Sequence, residues 1–226
     1  AILAAVTART KVVFLVNPNN PTSTIIPMDE VRRLHAGLRR DILLVLDWAY
    51  AEYQPENFGD EAARMVEAHD NIIMTRTFSK LHGLAAFRLG WAYCAPDILT
   101  TLGSIRGPFS VNQIAADAGI IAVGDVEFQE KSLLHSQKWM DEMCSFFTSA
   151  GLSIVPSATN FILIGFDGHN GPTAYETARY LASKNILFRE MAPYGLDQYL
   201  RMSIGTDEEM EIVKQTLSDF FASSQK

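Results

Sequence analysis

The segment Asn71-Ile-Ile-Met-Thr-Arg-Thr-Phe-Ser-Lys80-Leu-His-Gly-Leu-Ala-Ala-Phe-Arg88 sets the organisation of the chain. Residues 71–75 form a branched apolar run of strand length, so they read as a buried strand with Lys80 at or just past its end. In open α/β sheets, ligands bind beyond the carboxyl ends of the strands. Around the lysine stand the hydroxyl of Ser79, a flexible point at Gly83 and the guanidinium of Arg88. A hydroxyl and a planar guanidinium fork suit an anion such as a phosphate. A lysine amine beside such a site suggests covalent attachment of a phosphorylated aldehyde cofactor.

Working upstream, residues 11–16 are a continuous β-branched and aromatic run, a second buried strand, stopped by Asn17-Pro-Asn-Asn-Pro-Thr22. Two prolines there forbid regular structure. Apolar residues at 28, 31, 34 and 38 predict a helix over 28–40, with Asp29 and Glu30 in its first turn. Residues 42–46 are a strand ending at Asp47, and 59–68 are helical in pattern. Alternating strands and helices with short links indicate a mostly parallel sheet with helices on both faces. Downstream, 89–94 is a strand only one residue after Arg88. A parallel crossover needs a dozen or more residues, so this strand is expected to run antiparallel.

Residues 96–102 and 111–150 are helical in composition, the latter broken near Gly124. After that come strands 152–155 and 160–166, helix 172–184, strands 186–189 and 199–204, and a helix 207–221 capped by Thr206 and Glu209. The expectation is therefore an α/β domain over 1–150, including a long connecting helix, and a smaller α+β domain over 151–226 with a frayed tail from Ser223.

The chain of 226 residues is 48% apolar and 20% charged, ordinary for a folded soluble protein. A formal charge of -7 without clustered Lys and Arg argues against a nucleic-acid partner. Cys94 and Cys144 show no Cys-x-x-Cys spacing, so they indicate neither a zinc site nor a disulfide framework but small core residues of a reduced compartment. His35, His69, His82, His135 and His169 lack ligand spacing and read as solvated or packing residues; no metal is expected. No apolar run approaches the ~18–20 residues of a membrane span.

In a parallel sheet the polar residues that follow the strands share one edge: Asn20 after the first, Asp47 and Tyr50 after the second, Ser79 and Lys80 after the third. Pyridoxal 5'-phosphate would use each. A carboxylate such as Asp47 suits the pyridine nitrogen, Tyr50 and Asn20 the phenolate oxygen, and Ser79 with Arg88 the phosphate. Lys80 would be the attachment point and then the base that moves the α-proton.

Four segments, Asn17-Pro-Asn-Asn-Pro-Thr-Ser, Leu46-Asp-Trp-Ala-Tyr-Ala-Glu-Tyr, Thr77-Phe-Ser-Lys-Leu-His-Gly-Leu-Ala-Ala-Phe-Arg-Leu-Gly and Leu200-Arg-Met-Ser-Ile-Gly-Thr, resemble in order and spacing the fold type I pyridoxal-phosphate aminotransferases. Arg106-Gly-Pro-Phe-Ser-Val-Asn112 and Phe188-Arg-Glu-Met-Ala-Pro-Tyr-Gly-Leu196 favour the histidinol-phosphate aminotransferase group. The resemblance implies a cytoplasmic homodimer that moves an amino group between a small-molecule donor and a 2-oxo acid in histidine biosynthesis. It also implies that Arg201 clamps the substrate α-carboxylate and that Arg189 serves its phosphate end. Alternatives are a phospho-amino-acid decarboxylase, an aromatic aminotransferase of the same fold, or an inactive remnant. Family members are longer, so the chain reads as the C-terminal two-thirds of such a protein. It departs from the family pattern at Ser23, where Gly is usual, at Ala86-Phe87, and at Trp48, which either crowds the site or packs behind the sheet.

Overall fold

The computed structural model describes residues 1–55, 57–168 and 170–223. His169, and the expected frayed tail beyond Ser223, lie outside the described residues. The chain divides into two compact units, Ala1–Asn19 with Ile25–Ser132, and Asn20–Thr24 with the chain from Leu133 onward.

The first unit contains β1 (Val12–Val16), α1 (Met28–Gly37), β2 (Leu43–Asp47), α2 (Asn57–Ala68), β3 (Ile72–Thr77), β4 (Gly90–Cys94), α3 (Pro96–Ile105) and α4 (Gln113–Gly124). Its sheet has the order β1-β2-β3-β4, with the first three strands parallel and β4 antiparallel to β3; the connection between β3 and β4, residues 78–89, holds a single 3-10 turn at Ala85–Phe87 and no crossover helix. The register aligns Val13, Leu44 and Ile72 in one row and Leu15, Leu46 and Met74 in the next. These rows meet Val31 and Leu34 of α1 and Ala62, Met65 and Val66 of α2 in one apolar core. Each Val, Leu, Ile or Met side chain so removed from water contributes about 1.5–3 kcal/mol.

Helix α1 stops at Gly37, short of the 28–40 expected from periodicity. Leu38 adopts an extended backbone, ψ 146°, and packs on the core from there. The Arg39 guanidinium then donates to the carbonyls of Thr7 at 3.0 Å and Thr10 at 3.1 Å, which holds that turn outside the helix. On the sheet face away from α1 and α2, Val45 and Ile73 are buried, but Phe14 on edge strand β1 is 71% exposed. Helix α4 buries only Ala115 and Gly119 and exposes Ile114, Ile120, Ile121 and Val123.

α5 (Val126–Ser149) contributes its residues from Leu133 to the second unit. There follow β5 (Ser153–Val155), β6 (Phe161–Gly165), α6 (Ala174–Ser183), β7 (Arg189–Glu190), β8 (Tyr199–Ser203) and α7 (Asp207–Ser223). The sheet is antiparallel with the order β5-β6-β8-β7. Strand alternation sends Ile162, Ile164, Leu200 and Met202 into a core with Trp139, Met143 and Phe147 of α5, Leu181 of α6 and Leu217 of α7. Strand β7 is shorter than the expected 186–189 and shifted, because Ile186 and Phe188 pack against that core instead of joining the ladder. Thr206 and Glu209 form the expected reciprocal cap: Glu209 N donates to Thr206 Oγ1 and Thr206 N to Glu209 Oε2. Thr173 and Glu176 make the same capping box at α6.

Candidate active site

The parallel register puts the ends of β1, β2 and β3 on one edge. Val16, Asp47 and Thr75 lie side by side, and the backbone ladder continues past them through Asn17 N to Asp47 O (3.0 Å) and Trp48 N to Thr75 O (2.9 Å). Because successive side chains alternate, Asp47 is on the face away from α1 and α2, and Trp48 is turned into them. Trp48 is fully buried and stacks on Phe58 of α2 with ring centroids 5.4 Å apart. It therefore packs behind the sheet and does not crowd Asp47. Asp47 Oδ1 accepts the Ala49 N–H at 3.1 Å, and among the described residues Oδ2 has no hydrogen-bond donor. Tyr50, at the start of a single 3-10 turn over Ala51–Tyr53, is buried.

Past β3, Ser79 N donates to Thr77 Oγ1 at 3.1 Å, and a tight turn closes from Gly83 N to Lys80 O at 3.0 Å. Gly83 has φ +68°, a conformation that side chains rarely adopt, so glycine is needed there. Phe78 and Leu81 are buried on either side of Ser79 and Lys80 and anchor the loop. Lys80 Nζ stands 5.0 Å from the Tyr50 ring centroid and, among the described residues, makes no hydrogen bond or ion pair. Arg88 is exposed, in left-handed conformation at φ 55°, and donates through Nη1 to Ala85 O at 2.7 Å. It precedes Leu89 and Gly90, and so sits at the end of the sheet where β3 and β4 pair Thr77 with Gly90.

In the second unit, Arg201 of β8 donates through Nη1 to Asn20 Oδ1, and its guanidinium carbon lies 4.8 Å from the Phe161 ring centroid. Among the described residues its Nε is buried without a hydrogen-bond acceptor. Arg189 of β7 is directly opposite Arg201 in the ladder, so two cations share one sheet face. Like charges placed opposite are unfavourable unless an anion joins them. Of the expected residues, Asp47, Tyr50, Ser79, Lys80 and Arg88 thus fall in the first unit. Asn20, Arg189 and Arg201 fall in the second, and Asn20 is bonded to Arg201. Ser23 has φ 61°, which accounts for the glycine usual at that position.

Sequence reasoning missed the ion pair between Arg76 and Glu52, at 2.7 Å, and the ring of Phe161 under Arg201. Arg76 sits in the strand leading to Lys80 and Glu52 follows Tyr50 by two, but nothing in their spacing announces a pair 24 residues apart. A cleft of about 980 Å³ at the other end of the first sheet, lined by His35, His69, Arg40, Asn71 and Cys94, holds none of these groups. Burial raises the thiols of Cys94 and Cys144 above their ordinary range. Among the described residues no cluster of ligands could hold a metal ion, and no helix is long and apolar enough to cross a membrane.

The model of the family "aminotransferase class I and II" matches residues 1–217. The histidinol-phosphate aminotransferase of Rhodopseudomonas palustris is 44% identical over 222 residues, 98% of this chain and 61% of its own length. That of Paramagnetospirillum magneticum is 45% identical over 97% of this chain and 60% of its own length. The chain therefore spans about three-fifths of the curated relatives that it matches. Among solved structures, the histidinol-phosphate aminotransferase of Sinorhizobium meliloti in complex with pyridoxal-5'-phosphate superimposes with a TM-score of 0.82 at 29% identity, covering 94% of this chain and 58% of that one. With the family model matching nearly its whole length, this chain belongs to the class I and II aminotransferases.

Proposed function

We propose that the chain belongs to a pyridoxal-phosphate-dependent transaminase acting on histidinol phosphate and 2-oxoglutarate. The observation that carries the reading is the Lys80 amine, without a hydrogen bond or ion pair among the described residues, on the same strand edge as a carboxylate with one free oxygen, Asp47. That donor set fits the cofactor: an amine for its carbonyl carbon, an acceptor for its ring N–H, and the Ser79 hydroxyl with the remaining Arg88 N–H groups for its phosphate. When bound, pyridoxal phosphate supplies a carbonyl and an electron-withdrawing ring that lowers the cost of negative charge at the substrate α-carbon. Lys80 would hold the cofactor and, once released, serve as the base that takes the substrate α-proton and returns it at the cofactor's former aldehyde carbon; Asp47 would accept the ring N–H and Tyr50 would donate to the phenolate oxygen. Arg201 forms a bidentate pair with the substrate carboxylate, and Arg189 receives its phosphate. The relatives named above support the substrate.

The exposed apolar residues of α4 support a homodimer, and the biosynthetic relatives support a cytoplasmic location. Titration with pyridoxal phosphate tests the reading. An absorbance band near the visible edge, lost in Lys80→Ala, is expected; a band that survives that substitution sinks the assignment of Lys80. Product analysis then separates transamination from decarboxylation: carbon dioxide release without consumption of 2-oxoglutarate would exclude the transaminase.

A further inference from the structure

Arg76 lies in β3 four residues before Lys80, and Glu52 lies two residues after Tyr50. Arg76 donates to Glu52 Oε1 through Nη2 at 2.7 Å and Nε at 3.3 Å. Both side chains are largely enclosed, 16% and 15% exposed. Among the described residues the second carboxylate oxygen of Glu52 is buried with no hydrogen-bond partner, and replacing an enclosed ion pair by apolar residues is often neutral or stabilising. Stability alone is therefore a poor reason for this pair, and its position offers a better one.

The guanidinium has one place to be. Trp91, opposite Arg76 on β4, has its ring centroid 5.5 Å from the guanidinium carbon. On another side is Gly59 of α2, where even a Cβ would come to 3.0 Å from Nη1. A guanidinium boxed in this way fixes the carboxylate that it binds, and with it the short turn that carries Tyr50. The backbone ladder between β2 and β3 ends at Trp48 N to Thr75 O, so beyond it the Arg76 and Glu52 pair ties together the two segments that present Tyr50 and Lys80. Across that tie the Lys80 amine stands 5.0 Å from the Tyr50 ring.

We propose that Glu52 and Arg76 are a positioning pair that holds the Tyr50 ring against the Lys80 amine. Neither touches the reacting atoms. The functional meaning of the pair rests on the reading that Lys80 carries the cofactor, but its geometric effect is open to measurement without any cofactor.

The test uses the intact chain with its lysines reductively ¹³C-methylated. An amine above an aromatic face carries a ring-current shift, identified as the signal absent in Lys80→Arg and moved towards the other lysines in Tyr50→Leu. Glu52→Gln and Arg76→Gln are expected to lose most of that Tyr50-dependent shift, both in the same direction. An effect of charge alone would move the signal in opposite directions, since one variant removes a negative and the other a positive charge. Opposite movements, or an unchanged signal with only a lowered melting temperature, would overturn the proposal. Should the glutamine variants not fold, Arg76→Lys decides: it keeps the charge but loses the planar fork, and a retained shift counts against the proposal. The pyridoxal phosphate band, followed in the same samples, keeps the two readings apart. A band indifferent to Lys80→Ala defeats the cofactor assignment and leaves the ring-current result standing.

Discussion

In the first unit the amine of Lys80 has no hydrogen bond or ion pair among the described residues, whereas in the second the guanidinium of Arg201 is already bonded to Asn20 and laid over the Phe161 ring. On the function proposed above, the contrast follows from what each group would be asked to do. A nucleophile and base has to be free to form and break bonds, so an ion partner would hold it back. A carboxylate clamp works by being held in place beforehand, since each rotamer fixed in advance is one that binding need not fix. The packing differs in the same way. The second unit closes its own core over Trp139, Met143 and Phe147, while the first exposes a helix, α4, that is apolar nearly all round. A helix of that composition belongs under cover.

The sharpest way to break this contrast is a pair of matched truncations. Phe147→Ala, in the closed core, should lower the free energy of unfolding by about 3–5 kcal/mol in denaturant titration. Ile120→Ala on α4, where the side chain is 75% exposed, should change it by less than about 0.5 kcal/mol. A comparable loss at Ile120 would mean that α4 is covered in solution and that the first unit is as closed as the second.

Next in size are the caps of the second unit. Thr173→Ala removes the side-chain acceptor for Glu176 N and should cost about 1 kcal/mol by the same titration. No loss would show that α6 is held by its packing alone.

The smallest effect is in acid. The Asp207 carboxyl is held below its ordinary value, first by the hydrogen bond from Lys138 and then by that from Trp139 Nε1. Glu176 and Glu209 are lowered by the backbone N–H groups of Thr173 and Thr206. Folded values below the unfolded ones mean stability that is present above the unfolded value and lost as pH falls through the folded one. The melting temperature should therefore fall below about pH 4, and Asp207→Asn should flatten that descent. An unchanged acid slope in Asp207→Asn would remove this carboxylate from the account.

Much of this could be read before any coordinates. The run at 71–75 followed by Lys80 and the proline-rich stop after β1 are local signals. They pointed to a mostly parallel sheet and put Asn20, Asp47, Tyr50, Ser79 and Lys80 on a common edge, from which the structure takes Asn20, bonded to Arg201 in the second unit. The cap at Thr206 was equally local. The cap at Thr173 has the same local signature, a threonine three residues before Glu176, but Pro172 just ahead of it suggests an earlier helix start and hides it. Element ends were harder. Helix α1 stops at Gly37 because Arg39 finds the carbonyls of Thr7 and Thr10, and β7 shifts because Ile186 and Phe188 turn to the core; both causes lie far away in the chain.

The sequence by itself determined which chemical groups follow which strands, because that depends on periods of two and on the residues that stop them. It left open which way Trp48 faces, and alternation within β2 against the packing of α2 decided that, removing it from the side of Asp47. Only the tertiary structure joined Glu52 to Arg76, set Arg189 opposite Arg201, and gave Asn20 to Arg201. Each of these joins residues far apart in the chain through strand register and close packing, and no local pattern of residue types encodes a register between distant segments.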